Sequence, residues 1–208
     1  VDFSQFVNHF VALLVISNPL SALPAVLKIT RNQSLSDKRR TGIMSATAVG
    51  VIFLVVTWIG TPLLMLFGIS IPSFQVAGGF ILLLMSLSML SAEESPLKST
   101  AEEQVKRTES GAIVPLAIPI IAGPGAISTI IVSVNEYPGL PNQLILSASA
   151  ILVALVMGLL LFFASNLEKV FGQAGINVVN RIGGLLLAAI AVQAIANGLQ
   201  GLFPVLTP

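Results

Sequence analysis

Charged residues are absent from five long stretches of the chain, 3–27, 41–92, 110–135, 137–167 and 182–208, and apolar residues fill those stretches in blocks. An α-helix needs ~20 apolar residues to cross a hydrocarbon core of ~30 Å. Four of the stretches suit one crossing each. The stretch 41–92 is too long for one, and Phe67-Gly68-Ile69-Ser70-Ile71-Pro72-Ser73 supplies a turn near its middle. The pattern predicts six helices, over 5–28, 42–66, 73–91, 113–135, 144–166 and 176–203. A membrane β-barrel would alternate apolar and polar residues over segments of ~10 residues, and these blocks do not alternate. The expected class is an all-α integral membrane protein.

Composition agrees. Of 208 residues, 55% are hydrophobic and 9% charged, against roughly 25% charged in soluble domains. The chain has no cysteine, which excludes disulfides and thiolate metal sites. Its formal net charge is +1 and it has no basic stripe with interleaved aromatics, so nucleic-acid binding is not expected. The first apolar block lacks a basic leader and a small-residue cleavage site, and reads as a mature span.

Six spans put both termini and the loops near 67–72 and 136–143 on one side. The other side receives Lys28, Arg31, Lys38, Arg39, Arg40, Lys98, Lys106, Arg107 and Lys169, with Arg181 just inside it. The first side has no Lys or Arg, so the positive-inside rule places both termini on the non-cytoplasmic side. The segment 92–112 holds eight charged residues, from Glu93 to Glu109. It reads as a charged cytoplasmic linker, with a regulatory or partner-binding segment as the alternative.

That linker separates two similar parts, 1–91 and 113–208. Asn18-Pro19 lies within predicted helix 1, and Gly123-Pro124 within predicted helix 4, 105 positions later (124 − 19). Gly78-Gly79 and Gly183-Gly184 in helices 3 and 6 repeat that offset, and Phe67-Gly68 precedes Phe171-Gly172 by 104. Three spans per part invert the second relative to the first. An inverted three-plus-three repeat is a common plan of secondary transporters.

Proline removes a backbone donor and clashes with the carbonyl four residues back, while glycine loosens the backbone. Helices 1 and 4 are therefore expected to break near the midplane. Polar backbone freed in hydrocarbon must face a protein-lined cavity. Restarted helix N-termini would suit a carboxylate and freed carbonyls an ammonium group, a pairing that fits a zwitterion of amino-acid type. The expected substrate site comprises Asn18, Pro19, Ser21, Gly123, Pro124, Gly125, Ser128 and Thr129. The hydroxyls of Ser21, Ser128 and Thr129 could instead bond back to their own helices.

Helices 3 and 6 add Gln75, Asn177, Asn180, Arg181, Gln193 and Asn197, which suit either interhelical hydrogen bonds or ligand contact. Gln75 and Asn180 each precede a glycine pair by three positions. Arg181 suits snorkelling or gating. The pairs Gly78-Gly79 and Gly183-Gly184 suit close packing, as do the small-residue stripes Gly42, Ala46, Gly50 and Ala150, Ala154, Gly158. His9 is expected near the outer interface. No zinc-protease or serine-elbow motif occurs, and no predicted span contains an interior Asp or Glu, so no enzyme and no metal site are expected. No organic cofactor is expected either. Coupling to Na+ through freed carbonyls, coupling to H+ and uncoupled exchange stay open, as does oligomeric state.

Ser17-Asn18-Pro19-Leu20-Ser21-Ala22-Leu23-Pro24, and Val114 to Pro119 with Ala122-Gly123-Pro124-Gly125-Ala126-Ile127-Ser128, resemble the two signatures of the MarC family. Phe67 to Pro72 with Ala77-Gly78-Gly79, and Gly175-Ile176-Asn177 with Arg181 to Leu185, are similar to it as well. The resemblance spans essentially the whole chain. It implies a six-span inner-membrane protein of bacteria or archaea. For the SnatA-type branch it implies export or exchange of small neutral amino acids such as glycine and alanine. A small-solute channel and a non-transporting membrane scaffold are the competing expectations.

Overall fold

The computed structural model describes residues 3–20, 23, 26, 27, 30, 33–91 and 122–206. The linker 92–112 and Ser21 lie outside them. Among the described residues there are six α-helices: α1 (Phe3–Ser17), α2 (Leu35–Leu66), α3 (Ile71–Ser91), α4 (Pro124–Glu136), α5 (Leu140–Phe162) and α6 (Ala164–Leu202). A single 3-10 turn, Pro204–Leu206, follows. By length and apolarity α2, α3, α5 and Gly175–Leu202 within α6 can each cross a bilayer.

Several boundaries differ from expectation, α1 ending at Ser17 and not 28 among them, and two differences have a clear local cause. Helix α2 begins at Leu35, not 42, because Ser34 caps it: its hydroxyl accepts from the Asp37 backbone N–H at 3.2 Å. The helix therefore carries Lys38, Arg39 and Arg40 on a turn beyond the apolar run. The predicted loop over 167–175 is largely helical. Helix α5 ends at Phe162, Phe163 alone separates it from α6, and the kink in α6 falls at Gly172 (φ 57°, ψ 178°). That backbone is one only glycine adopts readily.

Helix α3 packs chiefly on α6, and α2 on α5, while α1 lies along α5 and α4 fills the space between α2 and α3. The core is apolar. Leu13 of α1, Val49 and Phe53 of α2, Leu82 of α3, Ile130 of α4, Val153 and Met157 of α5 and Leu187 of α6 are all essentially inaccessible. Outward-facing side chains are apolar too, among them Val55, Leu84, Leu155 and Leu185, as a lipid-facing surface requires.

In hydrocarbon the helices gain little from the hydrophobic effect between them, so close packing and hydrogen bonds carry the association. Gly50 brings α2 against α5, where an added β-carbon would lie 2.8 Å from Ala154 Cβ. Asn135 Nδ2 donates to Thr61 Oγ1 at 2.8 Å, tying α4 to α2. Asn142 Nδ2 donates to the Ser133 carbonyl at 2.9 Å, tying α5 to α4. Each such bond contributes about 0.6 kcal/mol on average in a membrane bundle.

Candidate functional site

Three helical stripes converge at the end of the bundle that carries the α2–α3 and α4–α5 turns. On α3, Gln75, Gly79 and Leu82 share a face. On α4, Ser128 and Thr129, then Val132 and Ser133, then Glu136 follow at four-residue steps, and on α6 Ile190, Gln193, Ala194 and Asn197 do the same. Together they enclose a cavity of about 190 Å³, smaller than the ~300–1,000 Å³ of pockets for drug-sized ligands. Leu82, 1% exposed, forms its floor.

Hydroxyl and amide groups line most of the polar wall. Ser128 is buried, and its Oγ donates across to the Phe74 carbonyl on α3 at 3.3 Å. Thr129 Oγ1 instead bonds back to the Gly125 carbonyl at 3.0 Å. Glu136 closes α4 at the mouth, just past the apolar run, and partial burial raises its carboxyl above the usual carboxylate range. No Lys or Arg is among the described residues that line this cavity. The arrangement therefore combines neutral donors and acceptors with one carboxylate.

Of the residues expected in the site, Ser128 and Thr129 line the cavity, joined by Gln75 and Gly79. Gly123, Pro124 and Gly125 are not in its wall; they form the start of α4, just before Ser128. Gly123 is extended (φ −62°, ψ 165°) and precedes Pro124, the first residue of α4. The Ala126 and Ile127 N–H groups donate back to the Gly123 carbonyl at 3.0 and 3.3 Å. A β-carbon at Gly125 would lie 2.7 Å from Leu82 Cγ, so that glycine lets the floor residue seat against α4.

Asn18 and Pro19 lie at another level. Helix α1 stops at Ser17, Asn18 takes φ 33°, and Pro19 and Leu20 are helical again. Asn18 Nδ2 approaches Met89 Sδ at 3.7 Å and faces Gly183, where an added β-carbon would lie 3.2 Å away. Met89 follows Leu82 by seven residues, or about 10 Å along α3. Gly184 packs on Met89 and the Ser86 carbonyl, and Gly79 on Ile195 and the Ala191 carbonyl. Arg181 is exposed, whereas Asn180 Oδ1 is buried with no hydrogen-bond partner among the described residues.

Ser133 and Glu136 were not among the expected site residues, and Gln193 and Asn197 were left between packing and ligand contact. The signal for all four was the four-residue spacing that continues from Ser128 and Thr129 along α4 and from Ile190 along α6.

The profile of MarC family integral membrane proteins matches residues 3–203. The chain is 35% identical over 205 residues to the UPF0056 membrane protein YhcE of Escherichia coli (strain K12), covering 98% of this chain and 95% of that one. It is 34% identical to the UPF0056 membrane protein BU267 of Buchnera aphidicola subsp. Acyrthosiphon pisum, with the same coverage. An archaeal relative, the UPF0056 membrane protein MJ1677 of Methanocaldococcus jannaschii, is 31% identical over 97% of this chain and 98% of its own. No solved structure matches the chain.

Proposed function

This chain belongs to the MarC family of multi-pass integral membrane proteins, and on that footing we propose that it is a secondary transporter of the SnatA type, exporting or exchanging small neutral amino acids. The observation that carries this reading is the cavity between α3, α4 and α6. It draws on both parts of the chain, is small, and pairs neutral hydrogen-bonding groups with the Glu136 carboxylate. A zwitterion has matching needs: its carboxylate takes amide and hydroxyl donors from Gln75, Gln193, Asn197 and Ser133, and its ammonium group turns toward Glu136. A short side chain fills what remains of the cavity, above Leu82. The protein performs no covalent chemistry on the solute.

Alternating access supplies the mechanism. By the positive-inside rule the cavity opens to the non-cytoplasmic side, and Leu82, seated on Gly125, separates it from the Asn18–Gly183 level beneath. The pairing of α3 with α6 and α2 with α5 supports an inverted repeat, since each helix lies against its counterpart in the other part. Rocking of the parts would open the lower level, where the interruption at Asn18 and the start of α4 at Pro124 leave backbone groups for the solute.

Counterflow in proteoliposomes tests this directly. Vesicles preloaded with unlabelled alanine should accumulate labelled alanine or glycine, with imposed sodium and proton gradients separating the coupling modes. Flux without saturation or trans-stimulation would show a channel instead. Absence of any flux in folded protein would leave a scaffold.

A further inference from the structure

A second concavity lies on the outside of the bundle, over the seam between α2 and α5, with a volume of about 440 Å³. Its floor is made by small residues spent on the helix pair itself: Gly50 meets Ala154, and a β-carbon at Gly158 would lie 3.5 Å from Ala46 Cβ. Its walls are exposed apolar side chains, Val51 on one side and Leu155 and Leu159 on the other. Along α2 it runs from Ile43 to Leu54, roughly 17 Å at ~1.5 Å per residue, close to the ~15 Å of one leaflet.

One end of this groove is cationic. Phe162 closes it, and the Arg39 guanidinium lies over the Phe162 ring, 4.6 Å from its centroid. Arg39 Nε is buried and has no hydrogen-bond partner among the described residues. Lys38 and Arg40 flank it in sequence, and the neighbouring Asp37 carboxylate already accepts the Ser34 hydroxyl at 2.6 Å. The four residues 37–40 thus leave a net positive charge on the first turns of α2, the end where the helix dipole also favours an anion.

We propose that this groove is a binding site for an anionic phospholipid, its acyl chain lying along the α2–α5 seam and its phosphate held at Arg39. Apolar length and cationic end occur in the order such a lipid presents them, and basic pockets at helix ends recognise anionic headgroups in this way. A second copy of the chain suits the groove poorly. A two-fold axis along the membrane normal would bring like ends together, setting Lys38, Arg39 and Arg40 of one copy against those of the other.

Native mass spectrometry of the purified full chain, titrated with phosphatidylglycerol or phosphatidylcholine of matched chains, tests the site. Wild type should retain phosphatidylglycerol preferentially. R39Q should lower that preference about fivefold, the worth of one cation near an anionic headgroup, while R39K keeps it. T47W, which fills the groove, should abolish retention of both lipids, with L155W as the alternative should T47W fail to fold by circular dichroism. Equal retention of the two lipids by wild type, an undiminished preference in R39Q, or unchanged binding in a folded groove-filling variant would overturn the proposal. So would a lipid-independent dimer lost on filling the groove. These outcomes do not depend on whether the protein transports amino acids.

Discussion

Gly78 on α3 and Ser128 on α4 meet so closely that the β-carbon of any other residue at 78 would overlap the serine side chain, while the Ser128 hydroxyl reaches the Phe74 carbonyl one turn earlier. The contact fixes the distance between two walls of the cavity. G78A should therefore cost about 1–3 kcal/mol of stability through overpacking. Adding S128G should restore much of it, because the serine is what the new methyl group strikes. Thermal unfolding of the two single variants and the double variant in detergent measures this coupling.

Glu136 sits at the cavity mouth with its carboxyl raised by burial. A raised carboxyl means that the folded protein binds the proton more tightly than the unfolded chain does. Stability should then fall as pH rises from the ordinary carboxylate range through the raised value, and stay level above it. E136Q should remove that slope and unfold later than wild type at neutral pH. On the proposed transport reading, the same variant should need more alanine for half-saturation in counterflow, since position 136 would offer the ammonium group no charge.

Leu82 is the floor, almost fully buried and seated on Gly125. L82A should cost about 2–5 kcal/mol, as deletion of a buried leucine side chain does, and should deepen the cavity. If the floor limits solute size, valine should compete with labelled alanine better in L82A than in wild type. Equal competition in the two proteins would remove Leu82 from the substrate's path.

Asn18 holds φ 33°, a region that asparagine and glycine tolerate far better than β-branched residues. N18V should lose roughly 1–2 kcal/mol from backbone strain alone, whereas N18G should relieve that strain. If the Asn18 side chain also contacts solute, N18G should slow counterflow while unfolding no earlier than wild type. Melting and flux, measured on one preparation, separate the two roles.

The spans were legible because hydrocarbon tolerates almost no charge, so the charge-free blocks outline α2, α3, α5 and α6. Helix ends were not, since hydropathy marks where lipid stops and not where backbone hydrogen bonding stops. Lys38, Arg39 and Arg40 end the apolar block, yet the cap at Ser34 starts the helix before them. Between α5 and α6, Glu168 and Lys169 suggested a loop, although the backbone stays helical up to the kink at Gly172. In the site, proline and glycine drew notice to Asn18, whose φ is positive, and to Gly123, which caps the start of α4. The cavity wall was harder to read. Ser133, Glu136 and Asn197 come together only through helical phase and the packing of α4 and α6 around α3, and no local irregularity marks them.

The seam between α3 and α6 is paved with glycine: Gly79 against Ile195, Gly184 against Leu90, Gly198 against Val76 and Gly201 against Pro72. Most helix pairs interlock like gear teeth, and a shift by one position must lift every tooth from its socket. Here the glycine positions leave gaps in the teeth, and the partner helix's side chains and backbone close directly on them. On the transport reading proposed above, so close a seam is where the two helices would shear past one another, letting the halves of a small bundle trade places without first coming apart.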